Sequence, residues 1–358
     1  MSGRALLYGA SGYTGRLVAG RMAAAGVHVV LAGRRAEAVR QVAEPLGLPW
    51  TAFELTDSAA LDAALAEAEV VLHAAGPFGQ TAAPMLAACL RTRTHYLDLG
   101  GEWPVFAEIM ARGAEAEAAG IMLMPGVGLT IVATDCLMAL AMRQRPDTVK
   151  LRVGISRAQV VSRGSVGTAA TLFAPGAVVR RGGEVVSIPA GSLTCAFDFG
   201  DGLREATAMS WADVVTGQLS TGVPDIEIYS ELPFLQRASY RASGLAMSVT
   251  GAAPWRAAGQ VLSRAWPEAP TDAALGEAAF VMVAEALDPW RRPTRVRMRT
   301  RDGYTVSMQT AAAAVQRVLR GDVVAGFQTP SRVFGADFIL GLGCAELDRH
   351  RSSSGAAA

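Results

Sequence analysis

This chain of 358 residues is poor in several groups on which common chemistries depend. Lys150 is its only lysine, so a Tyr-x-x-x-Lys catalytic pair cannot be drawn. The four histidines, His28, His73, His95 and His350, form no H-E-x-x-H pattern. The four cysteines, Cys89, Cys136, Cys195 and Cys344, show no metal-type spacing. No metal site is expected, and thiols in apolar contexts fit a reducing, cytoplasmic location. Excess charge is also missing: 33 basic and 32 acidic side chains leave a net charge of +1, which argues against nucleic acid as a main partner. Long apolar runs are interrupted. Gly9 and Gly12 break the first, so no signal peptide is expected. The stretch from Gly120 to Met142 holds Pro125, Gly126, Gly128 and Asp135 and divides into strand, loop and helix. An integral membrane span is not expected there; peripheral membrane contact stays as an alternative.

What is present begins at the N-terminus. Arg4-Ala5-Leu6-Leu7-Tyr8 reads as a buried strand. It runs into Gly9-Ala10-Ser11-Gly12-Tyr13-Thr14-Gly15 and then into a helical pattern from Arg16 to Met22. Strand, glycine turn and helix in this order form a pyrophosphate cradle. Gly9 permits the tight turn, Gly12 lets a phosphate approach the backbone, and Gly15 lets helix and strand pack closely. The spacing is G-x-x-G-x-x-G, which is informative only in this context. A turn serving packing alone is the competing reading. The second strand, Val27–Ala32, ends in Gly33-Arg34-Arg35, and no Asp or Glu occurs between Gly26 and Glu37. An acid there would bind the ribose 2′-hydroxyl of NAD, whereas arginines suit the 2′-phosphate of NADP. NADP is therefore the expected cofactor, against a plain helix-start charge pair.

Strands are further expected at Trp50–Phe53, Glu69–His73, His95–Asp98 and Ile121–Met124, with helices over Ala36–Leu46, Ala59–Ala66, Pro84–Leu90 and Val105–Ala119. That alternation is the rhythm of a doubly wound parallel sheet of Rossmann type, whose ligands lie beyond the carboxyl ends of the strands. Asp57 is placed at the adenine edge, or serves as a helix cap. Ala75-Gly76-Pro77 offers small residues beside a nicotinamide ribose, or is an ordinary turn. After Arg145-Pro146-Asp147 the pattern becomes strand-rich: Leu151–Ser156, Ser192–Phe199, Asp225–Tyr229, Phe280–Ala286 and Thr294–Arg299. Loops fall at Arg181-Gly182-Gly183 and Gly200-Asp201-Gly202, the latter shaped for a hairpin. Ser230 to Pro267 is rich in apolar residues that would line a pocket, a core or a dimer face. Tyr304–Leu319 and a helix opened by Thr329-Pro330 and running through Leu340 close the fold.

Several segments together resemble the saccharopine dehydrogenase-like family of NADP-binding oxidoreductases, including its bacterial trans-acting enoyl reductase branch. They are Gly9–Gly15, Ala32-Gly33-Arg34, Ala74-Ala75-Gly76-Pro77-Phe78, His95–Glu102, Pro125-Gly126-Val127-Gly128, Thr134-Asp135-Cys136, Gly164–Thr168 and Gly326–Pro330. The resemblance implies a Rossmann domain with an inserted, mostly antiparallel α+β domain and C-terminal helices returning to the first. Expected bounds are 1–148 for the NADP-binding domain, 149–303 for the substrate and dimerisation domain, 304–345 for the returning helices and 346–358 for a flexible tail. The family pattern after Gly128 is Phe-Asp followed by a Pro, whereas Leu129-Thr130-Ile131-Val132-Ala133 stands here.

Hydride chemistry wants a proton source as well as a cofactor. Asp98, Glu102 and Asp135 are the catalytic candidates, with helix capping as the competing role for Asp135. His95 and Tyr96 read as structural. Ser165, Thr168 and Tyr229 are the substrate-binding candidates, with Arg152, Arg157 and Arg163 available should the substrate carry carboxylates. The expectation is an NADPH-dependent reductase of an apolar enoyl or carbonyl substrate, acting as a homodimer. An imine or opine-type reductase of amino-acid-derived substrates and a catalytically silent nucleotide-binding scaffold are the alternatives.

Overall fold

The computed structural model describes residues 3–157, 176–251, 254, 261 and 278–348. Chain order starts with β1 (Ala5–Tyr8), α1 (Tyr13–Ala24), β2 (Val29–Gly33), α2 (Ala36–Leu46), β3 (Trp50–Ala52), α3 (Ser58–Ala66) and β4 (Val70–His73). It continues through α4 (Phe78–Thr92), β5 (His95–Asp98), α5 (Trp103–Ala111), α6 (Gly113–Ala119), β6 (Met122–Met124) and α7 (Leu129–Gln144). Together with β15 (Gly326–Phe327), these strands form a seven-stranded parallel sheet in the order β15-β6-β5-β4-β1-β2-β3. Its central strands are apolar on both faces because helices cover both, as in doubly wound sheets. The strand order reverses between β1 and β4, which places a ligand crevice at their carboxyl ends.

The second sheet is mixed. It holds β7 (Lys150–Ile155), β8 (Gly176–Arg181), β9 (Glu184–Pro189), β10 (Thr194–Asp198), β11 (Leu203–Ala208), β12 (Asp225–Glu231), β13 (Ala279–Leu287), β14 (Pro293–Arg301) and β16 (Ala345–Leu347). Among the described residues, only its β7–β12 pair is parallel. Met282, Ala284, Ala286, Val296 and Met298 point toward α7 and join the main core. The opposite face carries a smaller core of Phe197, Phe199, Tyr229 and Val283. Helices α8 (Asp213–Thr221) and α9 (Phe234–Thr250) complete this part. The chain then returns through α10 (Gly303–Leu319), which packs on α1 and α7, and through α11 (Pro330–Phe334) and α12 (Phe338–Gly341).

Several expected elements shift for physical reasons. The fourth helix starts at Phe78 and carries Pro84 in its interior, not at its first turn. The helix expected over Val105–Ala119 breaks at Arg112 into α5 and α6. The last helix is interrupted at Gly335, whose φ of 92° suits glycine. Thr329 stands at its N-cap position with Pro330 opening the helix, as expected, but its hydroxyl meets Ser220 Oγ at 2.8 Å rather than a helix amide. Strands β8 and β9 flank Gly182-Gly183 in a two-residue hairpin turn. Ordered structure extends past the expected start of the tail, since Ala345–Leu347 pairs with β14. On α9, Phe234, Leu235, Leu245 and Val249 are exposed; Trp255 and Trp266 lie outside the described residues. No helix among the described residues is long and apolar enough to cross a membrane.

Candidate functional site

The glycine turn is built as a cradle. Gly9 has φ of +94°, and a Cβ on it would lie 2.6 Å from the Ala75 amide nitrogen. Only glycine satisfies both conditions, and the contact brings the β1 and β4 loops together at the switch point. A Cβ on Gly15 would lie 2.2 Å from the Gly9 carbonyl oxygen, so α1 can approach β1 only because that atom is missing. Gly12 ends the turn as the residue before α1, and no side chain caps the helix there. The first-turn amides of α1 thus face the crevice with the positive end of the helix dipole, the arrangement that binds a pyrophosphate. Ala10 is fully buried beneath the turn, its amide bonded to Ala32 O at 3.1 Å. Ser11 O accepts from Arg16 Nη1 at 2.9 Å, while Thr14 opens the helix beside Tyr13.

The adenosine end is set by β2. Gly33 lies against Val39 and within about van der Waals reach of Ser11 Oγ. Arg34 and Arg35 follow it, both exposed. Arg34 is close enough to act on the Tyr8 phenol, whose pKa is raised by burial and partly lowered again by that guanidinium. Asp57 is the N-cap of α3: its Oδ1 accepts from the Ala60 amide at 3.0 Å, the capping role weighed against an adenine contact.

On the other side of the switch point, a hydrogen-bonded shell fixes the loops. Thr81 Oγ1 donates to Ala75 O at 2.6 Å and sits 3.0 Å from His73 Nε2. With the Thr81 proton spent on Ala75, His73 donates from Nε2. Burial lowers the His73 pKa to about 3, so the ring stays neutral. Gly76 and Pro77 follow, exposed, at the mouth of the crevice. Asp98, fully buried, accepts from Gly100 N (2.8 Å), Gly126 N (2.8 Å) and Tyr96 OH (2.6 Å). It therefore ties the β5 loop to the β6 loop. Burial pushes its pKa up to about 6, against the pull of those three donors. With both oxygens occupied, Asp98 is a positioning carboxylate rather than an open proton donor. Glu102, at the N-terminus of α5, accepts from Gly101 N at 3.0 Å and is 7% exposed.

Two expected site residues lie elsewhere. Asp135 does not cap α7; it lies six residues into that helix, roughly 9 Å along the axis from its start, and accepts instead from a first-turn amide of α11. There it is fully buried, bonded to Ser220 Oγ (2.5 Å) and Ser331 N (2.6 Å), and it joins α7 to α8 and α11. Tyr229 is 1% exposed, packed on Phe197 and bonded to Glu227 Oε2 at 2.7 Å, so it sits in the core of the second sheet. Ser165, Thr168 and Arg163 lie outside the described residues. Conversely, α10 brings in residues that no local pattern singles out. Tyr304 stacks edge-on against Tyr13, ring centroids 5.1 Å apart. Ser307 Oγ accepts from Leu129 N at 3.0 Å, and Thr310 Oγ1 donates to Val127 O at 2.7 Å. The segment from Val127 to the start of α7 at Leu129 is thus held by the returning helix.

Comparison with known proteins agrees with this geometry. Residues 5–124 match the family model of the saccharopine dehydrogenase NADP binding domain. A trans-acting enoyl reductase of Mycobacterium leprae is 33% identical over 138 residues, which is 36% of this chain and 33% of that protein. One from Mycobacterium tuberculosis is 38% identical over 104 residues, 27% of this chain and 25% of that protein. The matched stretches therefore span about a third or less of these relatives. The fold is that of a saccharopine dehydrogenase from Saccharomyces cerevisiae, with a TM-score of 0.64 at 13% identity, covering 97% of this chain and all of that one. A homospermidine synthase from Legionella pneumophila, solved with NAD, gives 0.66 at 8% identity, covering 99% and 94%. The glycine cradle and the first six strands of the parallel sheet thus lie within the segment that is similar to the saccharopine dehydrogenase NADP-binding domain family.

Proposed function

We propose that this protein is an NADPH-dependent reductase that acts on an apolar enoyl or carbonyl substrate. The observation that carries the reading is the cradle: Gly9 and Gly15 stand where a Cβ would strike backbone atoms, and Arg34 stands where an acid would select NAD. When bound, the nicotinamide supplies the hydride, and the protein supplies binding and orientation. The first-turn amides of α1 would hold the pyrophosphate, and Arg34 with Arg35 the 2′-phosphate. Asp98, through Gly100 and Gly126, and Thr81, through Ala75, would keep the loops around the ring from moving.

An enoyl substrate suits this site better than a ketone. Asp98 has both oxygens engaged, and His73 is a buried neutral ring. Reduction of an activated alkene leaves an enolate that water can protonate, whereas a carbonyl calls for a donor in hydrogen-bond reach. The names of the mycobacterial relatives point the same way. Homodimer formation belongs to the same proposal. The test is NADPH consumption with a medium-chain enoyl thioester, a matching ketone, and an α-keto acid plus an amine. Turnover with the thioester is expected. Turnover only with the keto acid and amine would move the assignment to an opine-type reductase, and cofactor binding without any turnover would leave a nucleotide-binding scaffold.

A further inference from the structure

The second sheet carries a separate feature on the face turned away from α7. Strand β14 reads Arg295-Val296-Arg297-Met298-Arg299-Thr300-Arg301, so four arginines project from one face about 7 Å apart. Such a ladder repels itself unless each cation is offset. Its first rung is. Arg295 lies opposite Glu285, which lies opposite Arg152, which lies opposite Glu227. The row alternates in sign across four strands, with Arg295–Glu285 at 2.8 Å and Arg152 at 3.9 Å from Glu285 and 3.6 Å from Glu227, which Lys150 joins from the side at 2.6 Å. The second rung is offset too: Arg297 Nε bonds Asp348 at 2.5 Å.

Compensation then runs out. Arg299 stands opposite Val281 on one side and Glu346 on the other, yet no ion pair reaches it among the described residues. Arg157, at the end of β7, likewise has none: its backbone amide bonds Glu231 Oε2 at 3.0 Å, but its guanidinium is exposed and unpaired among the described residues. Both line a cavity of about 470 Å³ together with Arg204 and Arg297. The carboxylates in that lining are already engaged. Glu231 and Asp201 hold Arg204 at 3.1 and 3.0 Å, and Asp348 holds Arg297. Arg204 also has a buried Nε with no partner, and its guanidinium lies 5.2 Å from the centre of the Phe199 ring. A Cβ on Gly154 would lie 2.5 Å from the Phe197 ring. Phe197 thus seats directly on the sheet, between the paired row and the cavity. Strand alternation keeps the cavity off the nucleotide side: Phe280 packs into the main core, whereas its neighbour Val281 lines the cavity.

We propose that this cavity is a second ligand site, which binds an oxyanion-bearing small molecule between Arg157 and Arg299, a phosphate ester or a polycarboxylate. Planar guanidinium forks pair bidentately with either group. The apolar patch of Phe199, Ala279 and Val281 gives the remainder of the ligand a surface to rest on. The size suits a small metabolite.

The test is calorimetric titration of the full chain with pyrophosphate and with citrate at matched ionic strength, with saturating NADPH filling the cradle. Saturable binding is expected for one of them, and which one separates the phosphate from the carboxylate source. The variant R157Q/R299Q should weaken it at least tenfold and leave NADPH affinity unchanged. R301Q, on the same strand but outside the cavity lining, should bind as wild type does. Removing Arg299 alone should leave the unliganded protein as stable as wild type or more so, because it relieves repulsion on the ladder. Failure of both probes to bind above a sodium chloride control, equal binding by the double variant, or an equal loss in R301Q would overturn the proposal. None of those results bears on the cofactor cradle.

Discussion

The two sheets place their chemistry in different materials. In the parallel sheet the site is backbone: amides of α1, missing Cβ atoms at Gly9 and Gly15, and loops tied by Asp98 and Thr81. Its central strands β1 and β4 are buried along their whole length, and β4 and β5 end in His73 and Asp98 at their carboxyl ends. In the mixed sheet one face is apolar against α7, and the other carries a grid of arginines and carboxylates. The contrast teaches why one site can be read from sequence and the other cannot. A steric requirement for glycine is local and marks the chain at the spot where it acts. Charge compensation depends on which strands become neighbours, and β7, β12, β13 and β14 are far apart in sequence.

The first sheet accordingly follows the sequence closely. Helix Ala36–Leu46 and strand His95–Asp98 fall where periodicity puts them. Gly15 predicts the close approach of α1 to β1 that the structure contains, whereas the contact of Gly9 with the β4 loop emerges only from the fold. Misreadings arose where a residue has two common uses. Pro84 resembles a helix start but lies inside α4, and Asp135 resembles a cap but lies inside a helix that begins six residues earlier. Tyr229 shares a face of β12 with Glu227 and Glu231. Phe197, from a different strand, covers it. Tyr304, Ser307 and Thr310 reach the cleft only because α10 returns across the first domain, which no short-range signal encodes.

The sharpest way to break the backbone-built site is to remove its tie. Asp98→Ala would leave Gly100 N, Gly126 N and Tyr96 OH buried without their acceptor, an expected loss of about 3–5 kcal/mol in urea unfolding. Asp98→Asn, which keeps an acceptor, should lose less. If Asp98→Ala costs under about 1 kcal/mol, the loops are held by something else.

Next comes Gly9→Ala. The strained φ and the contact with Ala75 should cost about 1–3 kcal/mol and weaken NADPH binding at least tenfold. Unchanged affinity would make the turn a packing device. Gly12→Ala, where the nearest atom to an added Cβ is 3.4 Å away, should cost the fold less than either, so any loss of NADPH affinity there reports on phosphate approach.

A smaller effect appears as a pH slope. Asp213 is fully buried, with Thr134 Oγ1 at 2.5 Å, and burial pushes its pKa up to about 7. Between the unfolded value near 3.8 and that raised value the folded protein holds the extra proton. Stability from this group is therefore present at low pH and lost as pH rises through about 7. Asp213→Asn stays neutral throughout, so its melting temperature relative to wild type should climb from pH 5 to pH 8. A pH-independent difference would show that Asp213 ionises normally.

The most direct measurement of the central claim is a fluorescence titration of wild type and Arg34→Ala with NADPH and NADH. The account predicts that wild type binds NADPH at least about tenfold more tightly, and that the variant loses roughly 1–3 kcal/mol of that preference through its affinity for NADPH alone. Equal affinity for the two nucleotides in wild type, or a preference that survives the loss of Arg34, would contradict it.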